Sequence, residues 1–204
     1  MNAIEDTPLS MEIPYAIEPR PDTGFSNAAL GVWLFLASET MLFGALFSSY
    51  VLLRTGAPEW PRGWQRLDAG IGLLETILLA ASGVTMLAAV RATQQGARTA
   101  GRRALAITAG LALLFLIVEL LAYAAHLRAG EVPSRDTFWA IYFALTGVHA
   151  LHVTGGLVVL TVVAVSASSA LPLARLAART ETVARYWWFV DVVWLALFVI
   201  CYLT

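Results

Sequence analysis

Five stretches of this chain stay apolar for long enough to cross a bilayer. They fall at about 27–53, 69–92, 103–127, 138–166 and 184–203, since roughly 20 apolar residues traverse the hydrocarbon core. That pattern removes most other architectures. No water reaches the backbone in lipid, so each stretch must satisfy its own N–H and C=O groups as an α-helix, and an open sheet edge is ruled out. Composition agrees: 59% of the 204 residues are hydrophobic and only 13% charged, where soluble domains carry about 25% charged residues. A chain this short cannot hide so much apolar surface in one aqueous core. The expected fold is all-α, a polytopic five-transmembrane-helix bundle over 27–204. It follows an acidic, proline-containing mobile tail over 1–26 that lacks the basic and apolar regions of a cleavable signal peptide.

The connections are short and rich in Gly, Pro or Arg: "RTGAPEWPRGWQRLD", "RATQQGARTAGRR", "LRAGEVPSRDT" and "SSALPLARLAARTETVAR". They leave no room for a soluble domain, and no internal repeat of the inverted-transporter kind is visible. All thirteen basic residues are Arg. With the N-terminus inside, Arg20, Arg91, Arg98, Arg102, Arg103, Arg175, Arg179 and Arg185 face the cytoplasm, and Arg54, Arg62, Arg66, Arg128 and Arg135 face out. Eight against five favours an N-inside, C-outside orientation. Trp60, Trp64 and Trp139 then belong at the outer interface. A net charge of −1 with no basic block gives no reason to expect nucleic acid. The lone Cys201 excludes an internal disulfide or a thiolate metal cluster within this chain. Small residues, Gly44, Ala45, Ser48 and Ser49 on the first helix and Ala80, Ala81, Ser82 and Gly83 on the second, are expected at helix–helix seams.

Against this background the ionisable residues within the spans stand out: Glu39, Glu75, Glu119, His126, His149, His152 and Asp191. A charge at the centre of a spanning helix costs roughly 2.5–3.5 kcal/mol on insertion scales, so each should face protein or be neutral. No interior Arg or Lys offers a counter-charge, and Glu39, near the midplane with Phe35, Leu42 and Phe43 within a turn, is expected to be protonated and to donate a hydrogen bond. His149 and His152 share a helix face at i, i+3. Two imidazoles on one helix cannot straddle a haem, and a metal would want a third ligand, so they are read as hydrogen-bonded packing histidines. At about 1.5 Å rise per residue, Glu119 lies roughly 12 Å below the outer end of its helix and His149 roughly 16 Å below the end of its own. That depth pairs Glu119 with His149, and Asp191 with His152. Asp191 has a second reading, as acceptor for the indoles of Trp187 or Trp194 at i−4 and i+3.

"WLFLASETMLFGALFSSY", "LLETILLAASGVT", "TGVHALHVTGG" and "YWWFVDVVWLALFVICYL" together resemble subunit III of the haem–copper terminal oxidases, in order and spacing, from about Gly31 to Tyr202. The five-helix count is similar to the short bacterial form. The resemblance implies a non-catalytic subunit of a proton-pumping cytochrome c oxidase that reduces O₂ to water, in the bacterial inner (plasma) membrane. By the same resemblance the chain carries no catalytic residue, haem or copper of its own, those cofactors belonging to subunits I and II. It packs mainly on subunit I, holds phospholipid in a cleft between its first two helices and the rest, and supports proton uptake and turnover stability. The family's carbodiimide-reactive carboxylate falls on Glu39, its bundle glutamate on Glu119, its paired histidines on His149 and His152, and its last-helix aspartate on Asp191. The family usually has His where this chain has Trp188, so no role of that histidine transfers.

Other readings stand beside this one. "LLETILL" resembles the quinol-oxidase branch, and "WPRGWQRLD" the short bacterial cytochrome c oxidases. A five-helix accessory protein of a nitric oxide reductase has the same helix count. An independent ion carrier lacks support from repeats or broken helices, and a cytochrome b-like carrier fails on histidine geometry. The orientation is directly testable: a reporter active only outside the cytoplasm is expected to work when fused after Thr204 and to be silent when fused before Met1. The opposite pattern would overturn the Arg count.

Overall fold

The computed structural model describes residues 20–22, 24–167 and 171–204. Most of the expected tail, 1–19 and residue 23, lies outside the described residues. Six α-helices follow one another: α1 (Asn27–Gly56), α2 (Gly63–Arg66), α3 (Ala69–Gln94), α4 (Arg98–Arg128), α5 (Thr137–Ser166) and α6 (Leu173–Phe198). A π-helical turn, Val199–Leu203, extends α6. No strand occurs among the described residues. Five helices are long and apolar enough to cross a membrane, the last counted with its π-turn as Leu173–Leu203.

The helix starts are chemical. Ser26, Asp68 and Asp136 each turn a side-chain oxygen onto a free N–H of the first turn, at 3.3 Å to Ala29, 2.8 Å to Gly70 and 3.0 Å to Trp139. Asp136 also accepts from Arg66 at 3.1 Å. Two ends are set by glycine. Gly96 and Gly130 take φ of 76° and 74°, the left-handed region where a Cβ is penalised. After Gly96, Ala97 N–H returns to Ala92 O at 2.8 Å; after Gly130, Glu131 N–H returns to His126 O at 2.9 Å. Both are Schellman closures, which bring the residue beyond the glycine back over the last turn.

Two of the expected spans start too late. The third helix begins at Arg98 rather than 103, and the fifth at Leu173 rather than 184. The added turns carry Arg98, Arg102, Arg175, Arg179 and Glu181, so a search for apolar runs passes over them. They are helical because Leu176, Thr180 and Val183 recur on one face and are buried there. The short α2 interrupts the first connection. It docks on the π-turn: Gly63 N–H bonds Thr204 O at 3.1 Å.

α3 packs along α4 and α6, and α5 fills the space between α4 and α6. The core is heavily aromatic, with Trp139, Trp187, Trp194, Tyr142, Tyr202 and Phe115 all sealed from solvent. Trp139, near the start of α5, is sealed within the protein, while Trp64 is half exposed. α1 stands apart. Its buried residues are Ala29, Leu36, Phe43 and Tyr50, one every seven, a single line of contact made mainly with α6 and secondarily with α5. Gly44, Ala45, Ser48 and Ser49 face away from the bundle, correcting the seam expected there. On α3 the seam is partial: Ser82 is fully buried and a Cβ at Gly83 would stand 2.5 Å from Asp191 Oδ2, but Ala80 is exposed.

Among the described glycines, Gly63 has the least room for a side chain. A Cβ on Gly63 would stand 1.8 Å from the carbonyl oxygen of Cys201, which cannot move without unwinding the π-turn. Gly63→Ala should cost about 1–3 kcal/mol, the usual range for overpacking. It should also speed labelling of Cys201, now 1% exposed, by a maleimide. Unchanged melting and labelling would show that α2 is not seated as described.

Candidate functional site

Glu39 is held by a partner on another helix. Its Oε2 lies 2.7 Å from Nε2 of His152 on α5. The other ring nitrogen, Nδ1, is 2.7 Å from the Val148 carbonyl oxygen. A carbonyl only accepts, so Nδ1 must carry a hydrogen and donate it. One proton is then shared across the Nε2–Oε2 contact: either the carboxyl donates to a neutral ring, or a protonated ring donates to the carboxylate. Both forms leave the pair without net charge, which is what a low-dielectric site tolerates.

The surroundings hold this geometry. Phe43 meets the His152 ring edge-on at 5.0 Å and Phe189 at 6.1 Å, and Tyr186 on α6 donates to the His152 carbonyl at 2.8 Å. Both side chains are about 15% exposed. Beside the pair, α1 and α6 diverge into an open groove of about 560 Å³ lined by Trp33, Leu36, Ala37, Thr40, Arg185, Trp188 and Phe189. It is apolar apart from Thr40 and Arg185, whose guanidinium is paired with Glu181 at 2.5 Å.

The pairings expected from helix depth are not the ones formed. His152 faces Glu39 and not Asp191. His149 does not bond Glu119: its Nε2 donates to the Val190 carbonyl at 3.2 Å, and its ring packs against Phe115 and Trp194. Asp191 accepts neither indole. Trp187 donates to Ser82 Oγ at 2.9 Å and Trp194 to Thr76 Oγ1 at 3.1 Å. Asp191 instead leans on α3 at Gly83, beside a cavity of about 30 Å³, the volume of one water molecule. His126 bonds Glu131 at 2.7 Å, a contact created by the left-handed turn at Gly130. Glu75 and Glu119 come together between α3 and α4. Ser82 was legible only as a small residue and Thr76 not at all, since nothing along the chain shows which hydroxyl an indole three helices later will reach.

A cleft between the first two spans and the rest is also corrected. α3 is integral to the bundle, so the opening lies between α1 and α6.

The fold and this site define a class: a polytopic membrane protein in which a carboxyl and an imidazole, Glu39 and His152, bind each other across helices. The comparison with known proteins makes the class specific. The cytochrome c oxidase subunit III family matches residues 23–204, and the chain belongs to that family. It is 32% identical over 177 residues to cytochrome c oxidase subunit 3 of Corynebacterium diphtheriae, covering 85% of this chain and 86% of that one. It is 29% identical over 182 residues to cytochrome bo(3) ubiquinol oxidase subunit 3 of Pseudomonas aeruginosa, covering 89% and 87%. It is also 29% identical over 191 residues to cytochrome c oxidase subunit 3 of a Bacillus species, covering 93% and 92%.

The accounting at His152 predicts an asymmetry. Glu39→Gln still offers a donor to Nε2 and should change stability by a few tenths of a kcal/mol at most. Glu39→Leu leaves the ring nitrogen unpaired and should cost about 1–3 kcal/mol. A double-mutant cycle with His152→Leu in detergent or bicelles should return a coupling of about 0.6 kcal/mol, the average for membrane helix contacts. Zero coupling would mean the pair does not form.

Proposed function

We propose that the chain is the non-catalytic subunit III of a proton-pumping haem–copper oxidase that passes electrons from cytochrome c to O₂. The observation that carries this reading is the family match over residues 23–204, joined to a five-span bundle whose conspicuous polar residues are absorbed by helix packing. In this reading subunit I is the main partner, subunit II belongs to the same complex, and haem and copper reside in those two chains. The complex lies in a bacterial plasma membrane with the N-terminus of this chain inside, as the arginine distribution supports.

The Glu39–His152 bond, with Phe43 beside it, ties α1 to the bundle and keeps the groove between α1 and α6 open to lipid. The apolar wall of Trp33, Leu36, Trp188 and Phe189 with Arg185 among them suits the acyl chain and phosphate of a phospholipid. This lipid and the α1 tether are how the subunit prolongs turnover and sustains proton uptake by subunit I.

A second reading, a ubiquinol donor, is favoured by Glu75 in "LLETILL" and by the similarity to the Pseudomonas aeruginosa subunit. Purification in mild detergent should bring down haem- and copper-bearing chains, and this chain, once stripped of them, should show no haem band in its optical spectrum. Deleting it should leave O₂ reduction measurable but make activity decay faster during turnover. Isolation without a haem-bearing partner, or an unchanged activity lifetime, would overturn the proposal. Oxidation of ubiquinol in place of cytochrome c by the purified complex would select the second reading.

A further inference from the structure

The contact between α3 and α4 is the most extensive in the bundle, and two carboxyls meet inside it. Glu75 is fully buried and Glu119 is 1% exposed. The two carboxyls are neighbours, and the Tyr123 and Thr146 hydroxyls lie beside Glu119. None of their four oxygens has a protein donor in bonding geometry. Such acceptors are not left unpaired at this depth without large cost.

Counting hydrogens shows what is available. Thr146 donates its one hydroxyl hydrogen to the Tyr142 carbonyl at 3.0 Å. The Tyr123 hydroxyl lies 2.6 Å from Thr146 Oγ1, so Tyr123 must be the donor there. The Tyr142 and Tyr202 hydroxyls bond each other at 3.3 Å, leaving one hydrogen between them. Cys201 completes the set near Glu119 and is a weak donor. The nearest base, His126, is engaged with Glu131, and no Arg side chain enters this interior. At most one good donor is on hand for four acceptors.

Two like charges facing each other without a cation repel strongly, so both groups cannot be ionised together. Two acids, by contrast, satisfy all four oxygens at once, each O–H donating to the other's C=O. If one proton leaves, the remaining O–H still binds the carboxylate. The way out is visible on α4: Glu119, Tyr123 and His126 follow at i, i+4 and i+7 on one face, leading to Glu131, which is 24% exposed at the membrane face that carries α2.

We propose that Glu75 and Glu119 form a hydrogen-bonded acid pair that binds one dissociable proton, in exchange with the membrane face that carries α2. Release breaks the O–H bond of Glu119 and leaves its electron pair on the carboxylate. The proton passes by way of the Tyr123 hydroxyl along this face of α4 to His126 and Glu131 and then to solvent; uptake reverses the path. No oxidant or other co-reactant is needed. The site is separate from Glu39 and His152, which join α1 to α5, and it does not depend on the function proposed above.

Infrared difference spectroscopy on the intact complex containing this chain tests it, with wild type, Glu75→Gln, Glu119→Gln, the double variant and Tyr123→Phe. Glutamine keeps a donor and an acceptor at each position, so the variants retain the pairing while losing the proton. The wild type should show a carboxylic-acid C=O band that shifts down in D₂O and falls as bulk pH is raised. Each single variant should remove part of the band and the double variant all of it. Tyr123→Phe, which leaves the pair intact, should slow deuterium exchange of the band by about tenfold or more, because one positioned proton-transfer group is gone. A band insensitive to both glutamine variants overturns the proposal. So does an acid band that neither exchanges nor titrates, which would mark a purely structural pair, and so does unaltered exchange in Tyr123→Phe.

Discussion

A hydroxyl, indole or carboxyl in the hydrocarbon layer has no water to fall back on, so its partner must come from a neighbouring helix. In this bundle that requirement converges on α6 and its π-turn. Trp187 and Trp194 reach Ser82 and Thr76 on α3, and Tyr186 reaches the His152 carbonyl on α5. The Val190 carbonyl receives His149, and the Ile200 carbonyl receives Tyr50 of α1 at 2.9 Å. Each bond both satisfies a polar group and sets the register of one helix against another. The apolar side chains, as much at home in lipid as in protein, supply close packing without that specificity.

The same logic explains why α1 is different. One buried residue in seven gives it a thin line of contact, and the polar bonds at Glu39, Tyr50 and Arg54 carry a larger share of its attachment than in any other span. Where α1 leans away from α6, the groove at Trp33, Arg185 and Trp188 opens. Trp188 places a large apolar wall there, with its indole turned to the Gly83 carbonyl at 3.5 Å.

Two ways of keeping a carboxyl inside a membrane coexist in this one chain. Glu39 is matched with a base, and a single shared proton leaves the pair neutral. Glu75 and Glu119 have only each other. The first arrangement borders the lipid-facing groove, and the second is sealed within the tightest helix contact, so a proton at one has no short path to the other.

The five spans and the identity of the interior carboxyls and histidines were readable along the chain, because they rest on local hydrophobicity and residue type. The family was readable for the same reason: its motifs are contiguous. Partners were not. Depth counted from the ends of apolar runs misplaces Asp191, because α6 starts eleven residues before its apolar run at 184; the fold seats Glu39, and not Asp191, on His152. Nor could composition tell that Ser48 and Ser49 of α1 face outward while Ser82 of α3 is buried, since both stretches are equally small. What the order of residues decided is which segments enter the membrane and what chemistry they bring. Which carboxyl meets which imidazole was decided only when the helices chose their rotations and tilts, and those depend on packing among all five spans at once.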